Sequence, residues 1–128
     1  METTEALKTY LILIVEDNPG DLRIIKEYFK ELSKDKYEIM DSPTLAGGID
    51  LINQYKFDAV FLDLGLPDSS GLQALNAIRQ VCNNLPVIVL TINKNDEIGL
   101  ESIKHGAQDF IIKDQLSAVS LEKSLKYS

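Results

Sequence analysis

A doubly wound α/β fold, a five-stranded parallel sheet with helices on both faces, is predicted by three features of this sequence. Five times in succession an apolar run is followed by a stretch whose apolar residues recur at helical spacing, an alternation that builds parallel sheets with right-handed crossovers. The strongest runs, Leu11-Ile12-Leu13-Ile14-Val15 and Ala59-Val60-Phe61-Leu62, are apolar throughout, as strands covered on both faces are. Four runs end in reactive or charged groups: the first at Glu16-Asp17, the third at Asp63, Val87-Ile88-Val89-Leu90 at Thr91, and Phe110-Ile111-Ile112 at Lys113. Open α/β sheets bind ligands outside the carboxyl ends of their strands, so these four endings are expected to share one cleft.

Residues 1–9 are polar and unpatterned, a lead-in to a single domain over residues 10–128. After the first strand, Asn18-Pro19 reads as the N-cap and first position of helix one. Leu22, Ile25, Phe29 and Leu32 follow at helical spacing, and the helix is expected to end near Ser33-Lys34. Tyr37-Glu38-Ile39-Met40 reads as a short second strand whose half-polar pattern suits an edge. Ser42-Pro43-Thr44 opens helix two, with Leu45, Ile49 and Ile52 on one face. Gly47 and Gly48 each cost that helix roughly 1 kcal/mol relative to alanine, which predicts a short or loosely packed element.

The Asp63 strand leads into Leu64-Gly65-Leu66-Pro67-Asp68-Ser69-Ser70-Gly71, a loop rich in turn formers. Helix three follows with Leu72, Leu75, Ile78 and Cys82 inward, stopped by Asn83-Asn84-Leu85-Pro86. Beyond Thr91, Asn93-Lys94-Asn95-Asp96 reads as polar loop, and helix four runs from about Asp96 to His105, closed by Gly106 as a left-handed cap. Leu100 and Ile103 are its expected inward face, Ile98 falls off that spacing and Gly99 weakens the interior, so it is predicted to be the least stable element. A last strand over Asp109 to Ile112 precedes a helix from about Leu116 to Tyr127, with Ala118, Leu121 and Leu125 on one side. A weak second strand at an edge, with the strongest runs first and third, fits strand order 2-1-3-4-5, that of flavodoxin-like folds.

Composition narrows the function classes. At 128 residues the chain can bury a core without disulfide or metal staples. One cysteine, Cys82, excludes an internal disulfide, and with one histidine, His105, there is no cysteine/histidine cluster for zinc. Cys82 reads as core and His105 as a solvated residue of a last helical turn. The lone thiol, and a start without the basic and apolar regions of a secretory signal, lead us to expect a soluble cytoplasmic protein without a membrane span. A net charge of -7 disfavours direct binding to nucleic acid or an anionic membrane.

Taken singly, each strand ending has a plain explanation. Glu16 and Asp17 would complement a helix dipole, Asp63 would be a turn residue, Thr91 a cap and Lys113 a surface lysine. Their coincidence at four ends of one sheet points to a site. Clustered carboxylates repel one another, and a hard cation such as Mg²⁺ relieves that repulsion while leaving positions for phosphate oxygens. Thr91 and Lys113 add a hydroxyl and a point charge, and an aspartate so placed can serve as a nucleophile that becomes an acyl phosphate.

On these residues the sequence resembles the receiver domains of two-component response regulators, from about Tyr10 to Tyr127. The marks are Val15-Glu16-Asp17-Asn18, Phe61-Leu62-Asp63-Leu64-Gly65-Leu66-Pro67-Asp68 with Gly71, Val89-Leu90-Thr91, and Gly106-Ala107-Gln108-Asp109-Phe110-Ile111-Ile112-Lys113. The resemblance implies that Asp63 is the phosphoacceptor, that Glu16, Asp17 and the Gly65 carbonyl join Asp63 in holding Mg²⁺, and that Thr91 and Lys113 contact the phosphoryl group. Phe110 then matches the switch aromatic. It further implies a histidine kinase or phosphotransfer domain as donor. Because Thr91 and Phe110 flank helix four, whose thin apolar face and Gly99 make it easily repopulated, the output surface is expected at roughly Ile98 to Lys104, Phe110 to Ile112 and Leu116 to Leu125. Where the family commonly has proline after its lysine, in a cis bond, this chain has Asp114; a non-proline cis bond costs several kcal/mol, which leaves cis or trans open here and puts the detailed geometry of the loop near Lys113, not the role of the lysine, in question. The Gly106 to Gln115 stretch resembles receiver modules fused to sensor kinases or other multi-domain signalling proteins, which leads us to expect an excised module, with a single-domain regulator as the alternative.

Three rival functions fit the sequence less well. A phosphatase of the haloacid dehalogenase type wants a second aspartate two residues after the nucleophile, where this chain has Gly65. Flavin binding wants a phosphate-cradling loop after the first strand, where Glu16 and Asp17 would repel phosphate. A receiver-like interaction module without phosphorylation predicts a missing acid or lysine, and none is missing from the sequence.

Overall fold

A computed structural model describes residues 9–32, 36–92 and 97–126. The elements are β1 (Thr9–Val15), α1 (Pro19–Glu31), β2 (Lys36–Ser42), α2 (Leu45–Gln54), β3 (Ala59–Asp63), α3 (Gln73–Val81), β4 (Val87–Thr91), α4 (Glu97–Lys104), β5 (Asp109–Ile112) and α5 (Ala118–Lys126), with a 3-10 turn at Lys113–Gln115. All strand pairs are parallel, and the sheet order is β2-β1-β3-β4-β5, the order expected from the sequence. The expected polar loop at 93–96, the first residues 1–8, the end of the first helix near Ser33-Lys34 and the end of the last at Tyr127 lie outside the described residues.

Alternation along the central strands sorts side chains into two cores. Ile12, Ile14, Ala59, Phe61, Ile88 and Leu90 meet Ile25 and Phe29 of α1 and Leu121 of α5, with the Phe29 and Phe61 rings edge to face at 5.5 Å. On the other face Leu13, Val15, Val60, Leu62, Val87 and Val89 meet Ala74, Leu75 and Ile78 of α3, joined by half-buried side chains of α2 and α4. Each fully buried aliphatic or aromatic side chain contributes roughly 1.5–3 kcal/mol, so the continuous runs β1, β3 and β4 hold the fold and fix which side chains emerge at its carboxyl edge.

Several elements differ from their sequence reading. β2 is not short: it pairs with β1 along seven residues, from Thr9↔Lys36 to Val15↔Ser42, because the ladder of a seven-residue neighbour supplies what its composition lacks. α2 is not loosely packed. A Cβ on Gly48 would lie 2.9 Å from Val15 Cγ2 and one on Gly47 would collide with Ser42 Oγ, so the glycines serve a close approach of helix to sheet. Its start is held twice, by Thr44 Oγ1 accepting from Gly47 N (3.1 Å) and by the Asp68 carboxylate accepting from Leu45 N (2.9 Å) and Ala46 N (3.0 Å). Those two donors hold the Asp68 carboxyl below the usual carboxylate range.

α4 turns a different face inward from the one expected. Leu100 and Ile103 are 56% and 41% exposed, whereas Gly99 and Ser102 are buried and Ile98 is half-buried against the core. The cause is Phe110, whose ring occupies the place of any side chain at position 99. Gly106, at φ +101°, closes α4 as expected, with the Arg79 stem packed over it: a Cβ there would lie 2.9 Å from Arg79 Cδ. The Arg79 guanidinium in turn donates to the carbonyls of Asn83 (3.1 Å) and Leu85. At the end of the chain the helix begins at Ala118, later than expected, because the 3-10 turn and an extended Leu116 intervene. Reciprocal Ser117 and Ser120 backbone-to-hydroxyl bonds (2.9 and 3.0 Å) then cap it.

Candidate functional site

Four strand ends deliver the site. Glu16 continues β1 by one ladder bond, its N–H donating to Ser42 O at 3.0 Å, and its side chain is buried while Asp17 stays exposed. Asn18 then caps α1, its Oδ1 accepting from Asp21 N at 3.0 Å, which turns the chain away from the sheet. Asp63 closes β3 at 5% exposure with its Oδ1 accepting from Gly65 N at 3.0 Å. Thr91, also buried, ends β4, and Lys113 follows β5. All of them line a cavity of about 250 Å³.

The Lys113 ammonium lies 2.8 Å from Glu16 Oε1, 2.9 Å from Asp21 Oδ2 and 3.5 Å from Asp63 Oδ2, on a side chain only 11% exposed. Burial pushes the Glu16 carboxyl up to about 7; its contact with Asp63 adds to the shift, and Lys113 and the Asn18 N–H oppose it. Asp63 goes the other way. Burial would raise it, but its bond with Glu16, the Gly65 N–H and the Lys113 charge together hold it below the usual carboxylate value. The two neighbouring acids are thus pushed in opposite directions, Glu16 up and Asp63 down. For Lys113 burial works toward a lower pKa, but its bonds to Glu16 and Asp21 and the charge of Asp63 outweigh it and hold the ammonium above its ordinary value.

Glu16, Asp17 and Asp63 each offer a carboxylate oxygen, all within 4.8 Å of one another. Glu16 Oε1 is buried without a hydrogen bond, met by Lys113 as an ion pair alone. Hard oxygen donors, one of them short of a partner and one exposed to water, fit a cation that keeps part of its hydration shell, as Mg²⁺ does. A Cβ at Gly65 would lie 3.6 Å from Asp63 Oδ1, ordinary contact, so space alone does not require glycine there.

The structure therefore brings together Glu16, Asp17, Asp63, Gly65, Thr91 and Lys113 as the sequence predicted. It leaves Phe110 apart: paired with Val89 in the sheet and packed on Gly99, it does not line the cavity. Asp21 was missed by the sequence reading. Its signal was its place in the first turn of a helix that starts at the same sheet edge, three residues after the Asn18 cap. No cis peptide bond occurs among the described residues, so Lys113 and Asp114 are joined in trans, a point the sequence left open.

A parallel sheet of this order, with an acid triad, a lysine and a hydroxyl at its carboxyl edge, has the architecture of a receiver-type α/β module. The chain belongs to the response regulator receiver domain family, whose family model matches residues 12–126. It is 32% identical over 103 residues to the transcriptional regulatory protein KdpE of Mycobacterium tuberculosis (strain CDC 1551 / Oshkosh), covering 80% of this chain and 44% of that protein. It is 35% identical over 102 residues to the swarming motility regulation protein RssB of Serratia marcescens, covering 80% and 45%. The chain thus spans less than half the length of these curated relatives. Among solved structures, the receiver domain of the Francisella response regulator 1452 superposes with a TM-score of 0.79 at 24% identity, covering 91% of this chain and 93% of that one, which supports the fold. Receiver domains phosphorylate and dephosphorylate themselves and are not conventional enzymes acting on external substrates. No described helix is long and apolar enough to cross a membrane.

Proposed function

We propose that Asp63 accepts a phosphoryl group from the phosphohistidine of a histidine kinase or phosphotransfer domain. The observation that carries this is the placement of Asp63: buried, ionised, and flanked by two further acids and an ammonium. An Asp63 carboxylate oxygen attacks phosphorus, the P–N bond breaks, and its electron pair stays with the imidazole, which takes up one proton from solvent and is restored as neutral histidine. Later, water attacks phosphorus, the acyl P–O bond breaks, its electrons return to the Asp63 carboxylate, and orthophosphate leaves with the remaining proton going to solvent. Glu16, Asp17, Asp63 and the Gly65 carbonyl would hold Mg²⁺, which supplies charge neutralisation for the incoming group. Lys113 and the Thr91 hydroxyl contact the phosphoryl oxygens.

Thr91 turning toward the phosphoryl group vacates space beside β4, and Phe110 rotates into it. Because the Phe110 ring rests on Gly99, that rotation changes the support of α4, whose exposed Leu100 and Ile103 lie on the proposed output face with β5 and α5. A downstream effector, or a domain fused to this one, would read that face. The acidic net charge favours a protein partner over nucleic acid or membrane for the domain itself. Incubation with Mg²⁺ and acetyl phosphate, followed by mass mapping, tests the reading: one added phosphoryl group on Asp63 is expected, and labelling elsewhere, or none, overturns it.

A further inference from the structure

Lys113 is the cation lining the cavity among the described residues, and three carboxylates face it. They do not stand alike around it. Asp63 Oδ2 is at 3.5 Å, while Glu16 Oε1 at 2.8 Å and Asp21 Oδ2 at 2.9 Å are in direct contact, Asp21 accepting a hydrogen bond from the ammonium. Asp21 is also outside the metal-fitting triad, so a cation bound by Glu16, Asp17 and Asp63 would leave it free to keep its grip. Its backbone is fixed by the Asn18 cap in the first turn of α1.

We infer that Asp21 is a positioning residue for Lys113: it holds the ammonium on the α1 side of the cavity, and its charge sets how readily Lys113 moves to a phosphoryl oxygen on Asp63. The inference rests on the phosphoacceptor reading above. A side chain 11% exposed has a small range of motion, so the ammonium cannot serve Asp21 and an incoming phosphoryl group equally well. Charge-assisted hydrogen bonds are about twice as strong as neutral ones, and replacing the carboxylate with an amide weakens this one without removing its shape. Asp21→Asn then has two effects of the same sign on transfer. One negative charge that repels a dianionic donor is gone, and the ammonium is released toward Asp63.

Two measurements test this on Asp21→Asn, Asp21→Glu and the wild-type chain. At saturating Mg²⁺, acetyl phosphate donates its phosphoryl group as an Asp63 oxygen attacks phosphorus and the P–O bond to acetate breaks, its electrons leaving on acetate. Asp21→Asn should raise that rate constant roughly three- to tenfold, with Asp21→Glu returning it toward wild type. Separately, the nitrogen-15 signal of the Lys113 ammonium in the unphosphorylated protein should shift, and its protons exchange faster with water, in Asp21→Asn, with little change in melting temperature. An unshifted ammonium signal overturns the inference, and so does an unchanged rate alongside a shifted signal. If even the wild-type chain takes no label, the phosphoacceptor reading falls and this inference with it, an outcome distinct from the other two.

Discussion

Two aspartates bracket β3, and they have opposite fates. Asp58 precedes the strand, is exposed, and spends its carboxylate on the backbone of the neighbouring strand: Oδ2 accepts from Leu11 N at 2.8 Å while Asp58 N donates to Leu11 O at 2.8 Å. Asp63 ends the strand, is buried, and faces Glu16, Asp17 and Lys113. The same side chain at the amino edge is a splint for β1, and at the carboxyl edge it is part of an electrostatic cluster. What separates them is whether a carboxylate is satisfied by N–H groups in water or crowded by other acids out of it.

The largest effect sought is a clean split between the two. Asp63→Asn should abolish labelling by acetyl phosphate and Mg²⁺, and Asp58→Asn should leave it at the wild-type level; label retained in the first variant, located by mass, would break the comparison. Next comes the metal. At Mg²⁺ near one hundred times its dissociation constant, the folded state should gain about 2.7 kcal/mol, seen as a rise in melting temperature, in wild type and Asp58→Asn alike. Asp17→Asn should remove most of that gain and, by relieving repulsion, melt higher than wild type when metal-free.

A smaller effect sharpens the contrast through pH. Between 4.5 and about 7 the folded chain keeps a proton on Glu16 that the unfolded chain has released, so Glu16 makes metal-free stability fall as pH rises through that window. Asp63, shifted down from 3.8, contributes stability that is present above that value and lost as pH falls below it. Lys113, shifted up from 10.5, contributes stability that is complete below that value and lost as pH rises through the folded one. Denaturant midpoints across pH 4–8, compared between wild type and Glu16→Gln, should show the Glu16 slope only in wild type, and Mg²⁺ affinity should tighten over the same window. A difference curve flat in pH would show that Glu16 is ionised throughout. The smallest effect belongs to the amino edge: Asp58→Ala should lose about 1 kcal/mol with the Leu11 bond and leave Mg²⁺ affinity unchanged.

Much of this was legible because strand identity and strand-end chemistry are local in sequence. Continuous runs named β1, β3 and β4, and the residue that ended each one named the site. What escaped was set by contacts between distant segments. Gly99 reads as a weak point in a helix until Phe110 is known to lie against it, and that contact turns Ser102 inward and Leu100 outward. Gly47 and Gly48 likewise read as helix breakers until β1 and Ser42 are brought up against them. Asp21 escaped because its partner, Lys113, is 92 residues away in sequence.

The Arg79 and Gly106 contact gives α4 a pivot. Arg79 grips the turn between α3 and β4 with its guanidinium and bears on the end of α4 with its stem, so that end cannot slide without dislodging both. The eight residues of α4 measure about 12 Å, and a tilt of about 10° around the pinned end displaces the opposite end by about 2 Å. Such motion is read at Glu97 and Leu100 and scarcely at Lys104. A fluorophore placed at Glu97 should therefore respond to phosphorylation where one at Lys104 stays silent, and equal responses at both would show that the helix translates as a whole.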